Sequence, residues 1–161
     1  IMGLPGAGKT TLAKELKKQL EVLGKSVDWY NADIVREKFN DWDFSEEGRI
    51  RQAQRMHDLA EKSNKDFVIA DFVCPTEATR EQFGDSFVVW VDRINESRFK
   101  DTNILFEKPK KIDIHIPFGM SIDEEVSIIT KTLFNDGVKD FKMKMKKFLR
   151  HTYQIPLLIL L

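Results

Sequence analysis

The stretch Gly3–Thr10, GLPGAGKT, decides the fold of this chain, because it fits the pattern G-x-x-x-x-G-K-[ST] without a substitution. Glycines at positions 3, 6 and 8 let successive backbone N–H groups turn inward around an anion, where a Cβ atom would obstruct them. Apolar residues at helical spacing follow at once, and the positive N-terminal end of that helix adds to the attraction. The stretch therefore predicts a phosphate-binding loop that leads into a helix.

Two side chains of this loop carry the expected chemistry. Lys9 places a charge near the β- and γ-phosphates of a nucleoside triphosphate and is a predicted catalytic residue, and the Thr10 hydroxyl is the expected Mg²⁺ ligand. The predicted nucleotide contacts are Gly3, Pro5, Gly6, Ala7, Gly8, Lys9, Thr10 and Thr11. The loop is therefore predicted to bind a nucleoside triphosphate together with Mg²⁺.

Helical and strand patterns alternate along the chain. Helices are predicted at 9–23, 33–40, 45–64, 76–83 and 123–133, and strands at 26–32, 66–73 and 86–92. Ser45 is the predicted N-cap of the third helix. The last two strands are nearly continuous apolar runs, which are typical of parallel strands covered on both faces. This alternation predicts an α/β, three-layer P-loop NTPase or kinase fold with a mostly parallel central sheet.

The predicted kinase domain spans residues 1–135. Only Ile1 and Met2 precede the loop, so the first strand is expected to be truncated, since a strand usually has about five residues. The Lys-rich stretch and the apolar run that follow predict a basic helix and a tail of unknown role at 136–161.

Charge and composition narrow the function class. Lys plus Arg and Asp plus Glu number 26 each, so no net field attracts nucleic acid or a membrane surface. No apolar run reaches the roughly 18 residues of a membrane span. Cys74 is the single cysteine, which excludes a disulfide framework and fits a reducing, cytoplasmic compartment. The small size and the lack of an Asn-Lys-x-Asp guanine motif favour a small kinase over a GTPase or a motor.

Four segments, in order and at matching spacings, carry a resemblance to a known family. They are GLPGAGKTTLAKELKKQL (3–20), NADIVREKF (31–39), DFSEEGRIRQAQR (43–55) and VCPTEATR (73–80). Over roughly the first 100 residues the chain resembles adenylylsulfate kinases, which transfer the γ-phosphoryl group of ATP to the 3′-hydroxyl of adenosine 5′-phosphosulfate. The resemblance implies Mg·ATP as the donor and a small anionic nucleotide as the acceptor.

The resemblance also implies roles for two residues that follow the strand predicted at 26–32. The family reads Asp-Gly-Asp-Asn-x-Arg there, and this chain keeps the second Asp as Asp33 and the Arg as Arg36. Asp33 is expected to orient or deprotonate the attacking hydroxyl, or to hold Mg²⁺ through water; its alternative role is an N-cap for a helix that begins at Ile34. Arg36 is expected to offer its planar guanidinium to the acceptor's anion, or else to be a solvated helix charge.

Further acceptor contacts follow from the same resemblance. Phe44 matches the family Phe that stacks on the acceptor's base, with a place in the core as its alternative. Gln52 stands where the family has Asn, and Arg80 matches an acceptor-side arginine.

Three arginines fall within seven residues of the third helix. Arg49 and Arg55 match family arginines that hold the acceptor's anionic end. Because positions 49 and 55 do not fully share one helix face, at least one of the three arginines, and Arg51 first, is expected at the surface. The predicted acceptor-binding residues are Asp33, Arg36, Phe44, Arg49, Gln52 and Arg80.

An acid lies near the end of the strand predicted at 66–73, where the family strand usually lacks one. Asp71 is predicted to anchor Mg²⁺ through water, which gives a metal set of Thr10 and Asp71; the alternative is a buried Asp paired with a neighbour. Cys74 is predicted to be a packing residue.

The resemblance fails after the strand predicted at 86–92. The family has a long lid, whereas this chain reads only SRFKDTNILFEKP (97–109). Arg98 can still be matched and is predicted to reach the transferring phosphoryl group as a catalytic residue. Three hypotheses stay open: an adenylylsulfate kinase, a kinase for another small hydroxyl or nucleotide acceptor, and a nucleotide-binding module of a larger protein. A homodimer or a fusion to another domain is the expected assembly.

Overall fold

The computed structural model describes residues 1–135, so the predicted basic helix and tail at 136–161 lie outside the described residues. The chain divides into two compact units, Ile1–Val126 and Ser127–Leu161, and the site described below belongs to the first. The predicted domain boundary after residue 135 stays a prediction. The elements are α1 (Lys9–Val22), β1 (Val27–Asn31), α2 (Ala32–Phe39), α3 (Glu46–Glu61), β2 (Phe67–Asp71), α4 (Glu77–Phe83), β3 (Val89–Asp92), α5 (Lys100–Leu105), β4 (Ile114–Pro117) and α6 (122–135).

The strands form two parallel pairs, β1 with β2 and β3 with β4. Ile1 and Met2 lie between the pairs and hydrogen-bond to both. On one side the Ile1 amine donates to the Ala70 carbonyl at 2.8 Å, and on the other the Met2 N–H donates to the Val89 carbonyl at 2.9 Å. The predicted parallel sheet is therefore confirmed, with the residues that lead into the phosphate loop at its centre.

Helices cover both faces of this sheet. One apolar face of α1, with Leu12, Leu16 and Leu20 buried, packs against β1 and β2. On the other face a core cluster joins α2 and α3 to the sheet; its buried members are Met2, Val35, Ala53, Met56, Ala70, Phe72, Cys74 and Trp90. The three-layer α/β fold is confirmed, and parallel strands place their carboxyl ends at one shared edge, where ligands of such sheets bind.

Local capping sets the boundaries near that edge. Ser45 caps α3 by accepting from the Gly48 N–H at 3.1 Å, as predicted. Asn31 caps α2, because its side-chain oxygen accepts from the N–H groups of Asp33 and Ile34. The alternative role of Asp33 as an N-cap is therefore wrong: Asp33 lies in the first turn of α2, which begins at Ala32.

Two elements have no counterpart among the sequence predictions. Helix α5 replaces part of the missing lid, and β4 extends the sheet beyond β3. In β4 Ile114 and Ile116 are buried whereas His115 and Pro117 are exposed, which is the alternation of a strand with one covered face. None of the helices in residues 1–135 has the length and apolar character that a membrane crossing requires.

Candidate active site

The phosphate loop begins at the edge of the sheet, and its backbone requires glycine at two positions, Gly3 and Gly8. A Cβ atom on Gly3 would lie 2.2 Å from the Val91 carbonyl oxygen, and Gly8 has φ +92°. Gly8 is also the N-cap of α1, and no side chain caps this helix or places an acid in its first turn. The first amides of α1 are therefore available to an anion.

Lys9 lies folded against its own loop. Its side chain is buried, and its Nζ donates to the Leu4 carbonyl at 2.9 Å. Burial lowers the pKa of Lys9, while the nearby carboxylates of Asp71 and Asp33 act in the opposite direction. Lys9 makes no ion pair within residues 1–135, so its charge is buried near two acids without a direct carboxylate partner.

Three polar side chains meet at the ends of β1, β2 and α1. The Thr10 hydroxyl donates to Asp71 Oδ2 at 2.9 Å, and Asn31 Nδ2 donates to the same oxygen at 2.8 Å. Asn31 Nδ2 also lies 3.2 Å from the Thr10 hydroxyl oxygen. Sequence reasoning missed Asn31 as a site residue, although a polar residue at the carboxyl end of a parallel strand is the signal that could have found it.

The buried acid of this cluster has one oxygen without a hydrogen-bond partner in the described part of the chain. Asp71 is 1% exposed, and this oxygen is its buried Oδ1 atom. No group of three or more His, Cys, Asp or Glu side chains that could hold a metal occurs among residues 1–135. A hard cation bound partly by nucleotide phosphates and waters needs only one or two protein ligands, so Thr10 and Asp71 fit such an ion.

Five of the six predicted acceptor residues line one pocket next to this cluster. They are Asp33, Arg36, Phe44, Arg49 and Gln52. Gln52 Nε2 donates to the Ala32 carbonyl at 3.0 Å, which joins α3 to the start of α2. The wall opposite includes Phe72, Cys74 and Pro75.

Arg36 is the buried cation of this pocket. It is 5% exposed, and its Nη1 donates to the backbone carbonyls of Asp41 (3.0 Å) and Asp43 (2.9 Å). Its guanidinium carbon lies 4.5 Å from the centre of the Phe44 ring, and burial lowers its pKa. No ion pair joins Arg36 to a carboxylate among the described residues, so an anion in the pocket would find a cation with unused N–H groups.

The other arginines of α3 already have acidic partners. Arg49 Nη2 lies 3.2 Å from Asp101 Oδ2 on α5, and its Nε donates to the Phe44 carbonyl. Arg55 Nη2 lies 2.6 Å from Asp41 Oδ2, and the half-exposed Arg51 binds the same carboxylate at 2.7 Å. Hydrogen bonds from Arg51 and Arg55 hold the pKa of Asp41 far below its usual range.

Three arginines with predicted roles lie outside the pocket lining, namely Arg55, Arg80 and Arg98. Arg80 donates to the carbonyls of Pro75, at 3.1 Å, and of Glu107, and it pairs with Glu77, so it fastens the segment after α5 to α4. Arg98 is exposed, with its guanidinium 4.8 Å from the Phe99 ring centre. Their roles toward the acceptor and the phosphoryl group stay predictions.

Cys74 forms part of the pocket wall as a buried thiol. Its backbone is left-handed, with φ 48°, and its Sγ lies 3.6 Å from the Thr79 hydroxyl oxygen. Burial raises the pKa of Cys74 to about 11, so the thiol is protonated at neutral pH. This environment agrees with a packing role rather than a reactive one.

A further ion pair beside the loop was missed. Arg93, directly after β3, pairs with the fully buried Glu125 of α6. The two residues are far apart in sequence, and no local pattern indicated their contact.

Comparison with known proteins supplies the family. The sequence profile of a family described as adenylylsulphate kinase matches residues 1–121. A probable adenylyl-sulfate kinase of Pseudomonas aeruginosa is 37% identical over 82 residues, which are 49% of this chain and 38% of that protein. The adenylyl-sulfate kinase of Halothermothrix orenii is 30% identical over 127 residues, 74% of this chain and 69% of that protein.

A solved structure agrees in fold. An APS kinase of Mycobacterium tuberculosis, in complex with AMPPNP and APS, superimposes with a TM-score of 0.69 at 20% identity, over 82% of this chain and 94% of the other. The family profile covers well over half of the sequence, and it includes the phosphate loop and all the pocket residues described above. The chain belongs to the adenylylsulfate kinase family.

Proposed function

We propose that this protein transfers the γ-phosphoryl group of ATP to the 3′-hydroxyl of adenosine 5′-phosphosulfate. One observation carries the proposal: Asp33 lines the pocket that contains Arg36 and Phe44, and it also acts electrostatically on Lys9 of the phosphate loop. Asp33 therefore belongs to the acceptor pocket and is also close enough to the phosphate loop to act on its lysine. It can therefore orient the attacking hydroxyl or accept its proton.

Each side of the cleft has a separate task in this proposal. Lys9 and the open amides of α1 bind the β- and γ-phosphates of ATP. Thr10 and Asp71 hold Mg²⁺, which when bound neutralises phosphate charge and helps to align the donor. Arg98 lies on the segment after β3 and is assigned to the transferring phosphoryl group.

The acceptor side is assigned in the same way. Arg36 binds the anionic end of the acceptor, and Phe44 stacks on its base, with one ring face 4.5 Å from the guanidinium of Arg36. Arg49 and Gln52 also line the pocket. Arg80, which donates to the carbonyl of the lining residue Pro75, is assigned to the acceptor's anion. We place the enzyme in the cytoplasm, and we expect a homodimer or a fusion to a further domain.

The test is a transfer assay with a panel of acceptors. The purified chain is mixed with γ-labelled ATP, Mg²⁺ and, separately, adenosine 5′-phosphosulfate, adenosine 5′-monophosphate, adenosine and shikimate. The proposal expects fast transfer to adenosine 5′-phosphosulfate alone, with the label on the 3′-oxygen. Lys9→Ala provides the inactive control.

Two other results would each replace the proposal with an alternative. Faster transfer to a different acceptor would mean a kinase of other specificity. Tight ATP binding without transfer to any acceptor would favour a nucleotide-binding module of a larger protein.

A further inference from the structure

Arg93 connects the phosphate loop to a helix that takes no part in the site described above. Its Nη1 donates to the Ala7 carbonyl at 3.2 Å. A Cβ atom on Gly8 would lie 2.1 Å from the same nitrogen. The guanidinium therefore packs directly on the Ala7–Gly8 peptide, where any residue larger than glycine would displace it.

The opposite side of the guanidinium is fixed by Glu125. Arg93 Nε donates to Oε1 at 2.9 Å, and Nη2 donates to Oε2, so the pair is bidentate. Glu125 is 0% exposed and the Arg93 side chain 21%. A buried carboxylate needs a partner of this geometry to offset its desolvation, and the two parallel hydrogen bonds fix the plane of the guanidinium.

This arrangement has a consequence for the phosphate loop, because a trans peptide directs its C=O and its N–H to opposite sides. Arg93 holds the Ala7 carbonyl, and the N–H of the same peptide belongs to Gly8. In the described part of the chain the Gly8 N–H donates to no backbone or side-chain acceptor. The contact that fixes the carbonyl thus fixes the direction of an amide that is free to bind an anion.

We propose that Arg93 is a positioning residue, which presets the Gly8 N–H of the phosphate cradle, and that Glu125 holds Arg93 in place. The inference rests on the proposed function in one respect, namely that the loop binds ATP. In this proposal Arg93 acts through the Ala7–Gly8 peptide, and it does not line the acceptor pocket.

The experiment measures the binding of a fluorescent ATP analogue and the thermal unfolding of five proteins. These are the wild type, Arg93→Lys, Glu125→Gln, the double variant Arg93→Met with Glu125→Gln, and Lys111→Met as a control. Lys111 forms an exposed ion pair with Asp85 away from the loop, so its loss tests the removal of a surface cation alone. Hydrogen exchange of the peptide that contains residues 3–10 is followed on the same samples.

The double variant removes the arginine without leaving the buried carboxylate charged, so it should fold. We expect its dissociation constant for the ATP analogue to rise about 10-fold, as for the loss of one charge-assisted hydrogen bond. Arg93→Lys should fall between it and the wild type, because an ammonium cannot hold both partners in one plane. Exchange in residues 3–10 should become faster before ATP is added, whereas Lys111→Met should match the wild type.

Three results would count against the inference, and only the second would also remove the proposed function. If the wild type binds ATP and the double variant binds it equally well, Arg93 and Glu125 form only a structural ion pair. If the wild type itself binds no ATP, the proposed function fails together with the inference. A fall in unfolding temperature without a change in ATP affinity also counts against the positioning role.

Discussion

The cleft has a donor half, formed by the phosphate loop with Thr10 and Asp71, and an acceptor half, formed by the pocket around Arg36. The two halves differ in whether their charged groups already have partners of opposite charge. On the donor half, the ammonium of Lys9, the first amides of α1 and Oδ1 of Asp71 lack strong partners within residues 1–135. On the acceptor half, Arg49 and Arg55 already have carboxylate partners in Asp101 and Asp41. Among the four arginines at 36, 49, 51 and 55, Arg36 alone has no carboxylate partner within residues 1–135, and it donates to backbone carbonyls instead.

This difference indicates where specificity arises. On the donor half, Lys9 and Asp71 form no ion pair within residues 1–135, so a bound nucleoside triphosphate displaces only hydrogen bonds such as that from Lys9 to the Leu4 carbonyl. On the acceptor half, internal ion pairs must break before a ligand can contact the same arginines. An acceptor therefore binds well only if its new contacts offset the free energy of the broken ion pairs. Changes on the donor half should therefore affect chemistry most, and changes on the acceptor half should affect selectivity.

The largest effect is expected from Lys9→Met. Loss of a buried charge at the transferring phosphates should reduce the transfer rate by roughly 10³-fold, the order found for removing one electrostatic contact to a transition state. The unfolding temperature should be unchanged or higher, because burial lowers the pKa of Lys9 and its charge is thus a cost to the folded state. Single-turnover kinetics and calorimetry measure the two effects; a large loss of stability would contradict this account of Lys9.

The next effect is expected from Asp71→Asn. The substitution keeps the side-chain shape but removes the charge that would face Mg²⁺, so we expect a loss of about 10²-fold in transfer and a higher Mg²⁺ requirement. A titration of activity against Mg²⁺ concentration measures both.

Asp66→Asn is the matched control for Asp71→Asn. Asp66 lies just before the start of β2, and within residues 1–135 its carboxylate accepts hydrogen bonds from Ser26, so this variant should keep the wild-type Mg²⁺ dependence. An unchanged Mg²⁺ titration for Asp71→Asn itself would remove Asp71 from the metal site.

The sequence predicted the phosphate loop's helix and the Ser45 cap because the signals for these structures are local. The glycines and Lys9 of the loop, the helical spacing of Leu12, Leu16 and Leu20, and the Ser45 cap lie within a few residues of the structure that they determine. The family resemblance added Asp33, Arg36, Phe44, Arg49 and Gln52, which the structure brings to one pocket.

The features that the sequence did not predict depend on distant partners. Arg93 contacts Ala7 and Glu125, 86 and 32 residues away, and no pattern within one segment reports such a contact. Asn31 was missed because its two roles, as a cap of α2 and as a donor to Asp71, become visible only when β1 and β2 are paired. The alternation in β4 extends over only four residues, which is too short for a reliable period.

Arg36→Met is expected to weaken acceptor binding by about 10-fold to 30-fold, the size of one charge-assisted contact to an anion. The affinity for ATP should stay within about twofold, because Arg36 lies in the acceptor pocket and bonds to no part of the phosphate loop. Initial rates with each substrate varied in turn separate the two Michaelis constants. Arg51→Met is the control, since Arg51 is half-exposed and outside the pocket lining; an equal effect on ATP would place Arg36 on the donor side.

The smallest effect, and the one that tests the comparison most directly, is expected from Asp101→Asn. Asp101 is 66% exposed and competes with the acceptor's anion for Arg49, so removing its charge should tighten acceptor binding by about threefold, the scale of an exposed ion pair. Asp85→Asn, at an exposed pair with Lys111, controls for the change in net charge. The gain should shrink as salt is added, because exposed charges are screened. Weaker acceptor binding would mean instead that Asp101 holds Arg49 in its productive position, and the acceptor half would then be as preorganised as the donor half.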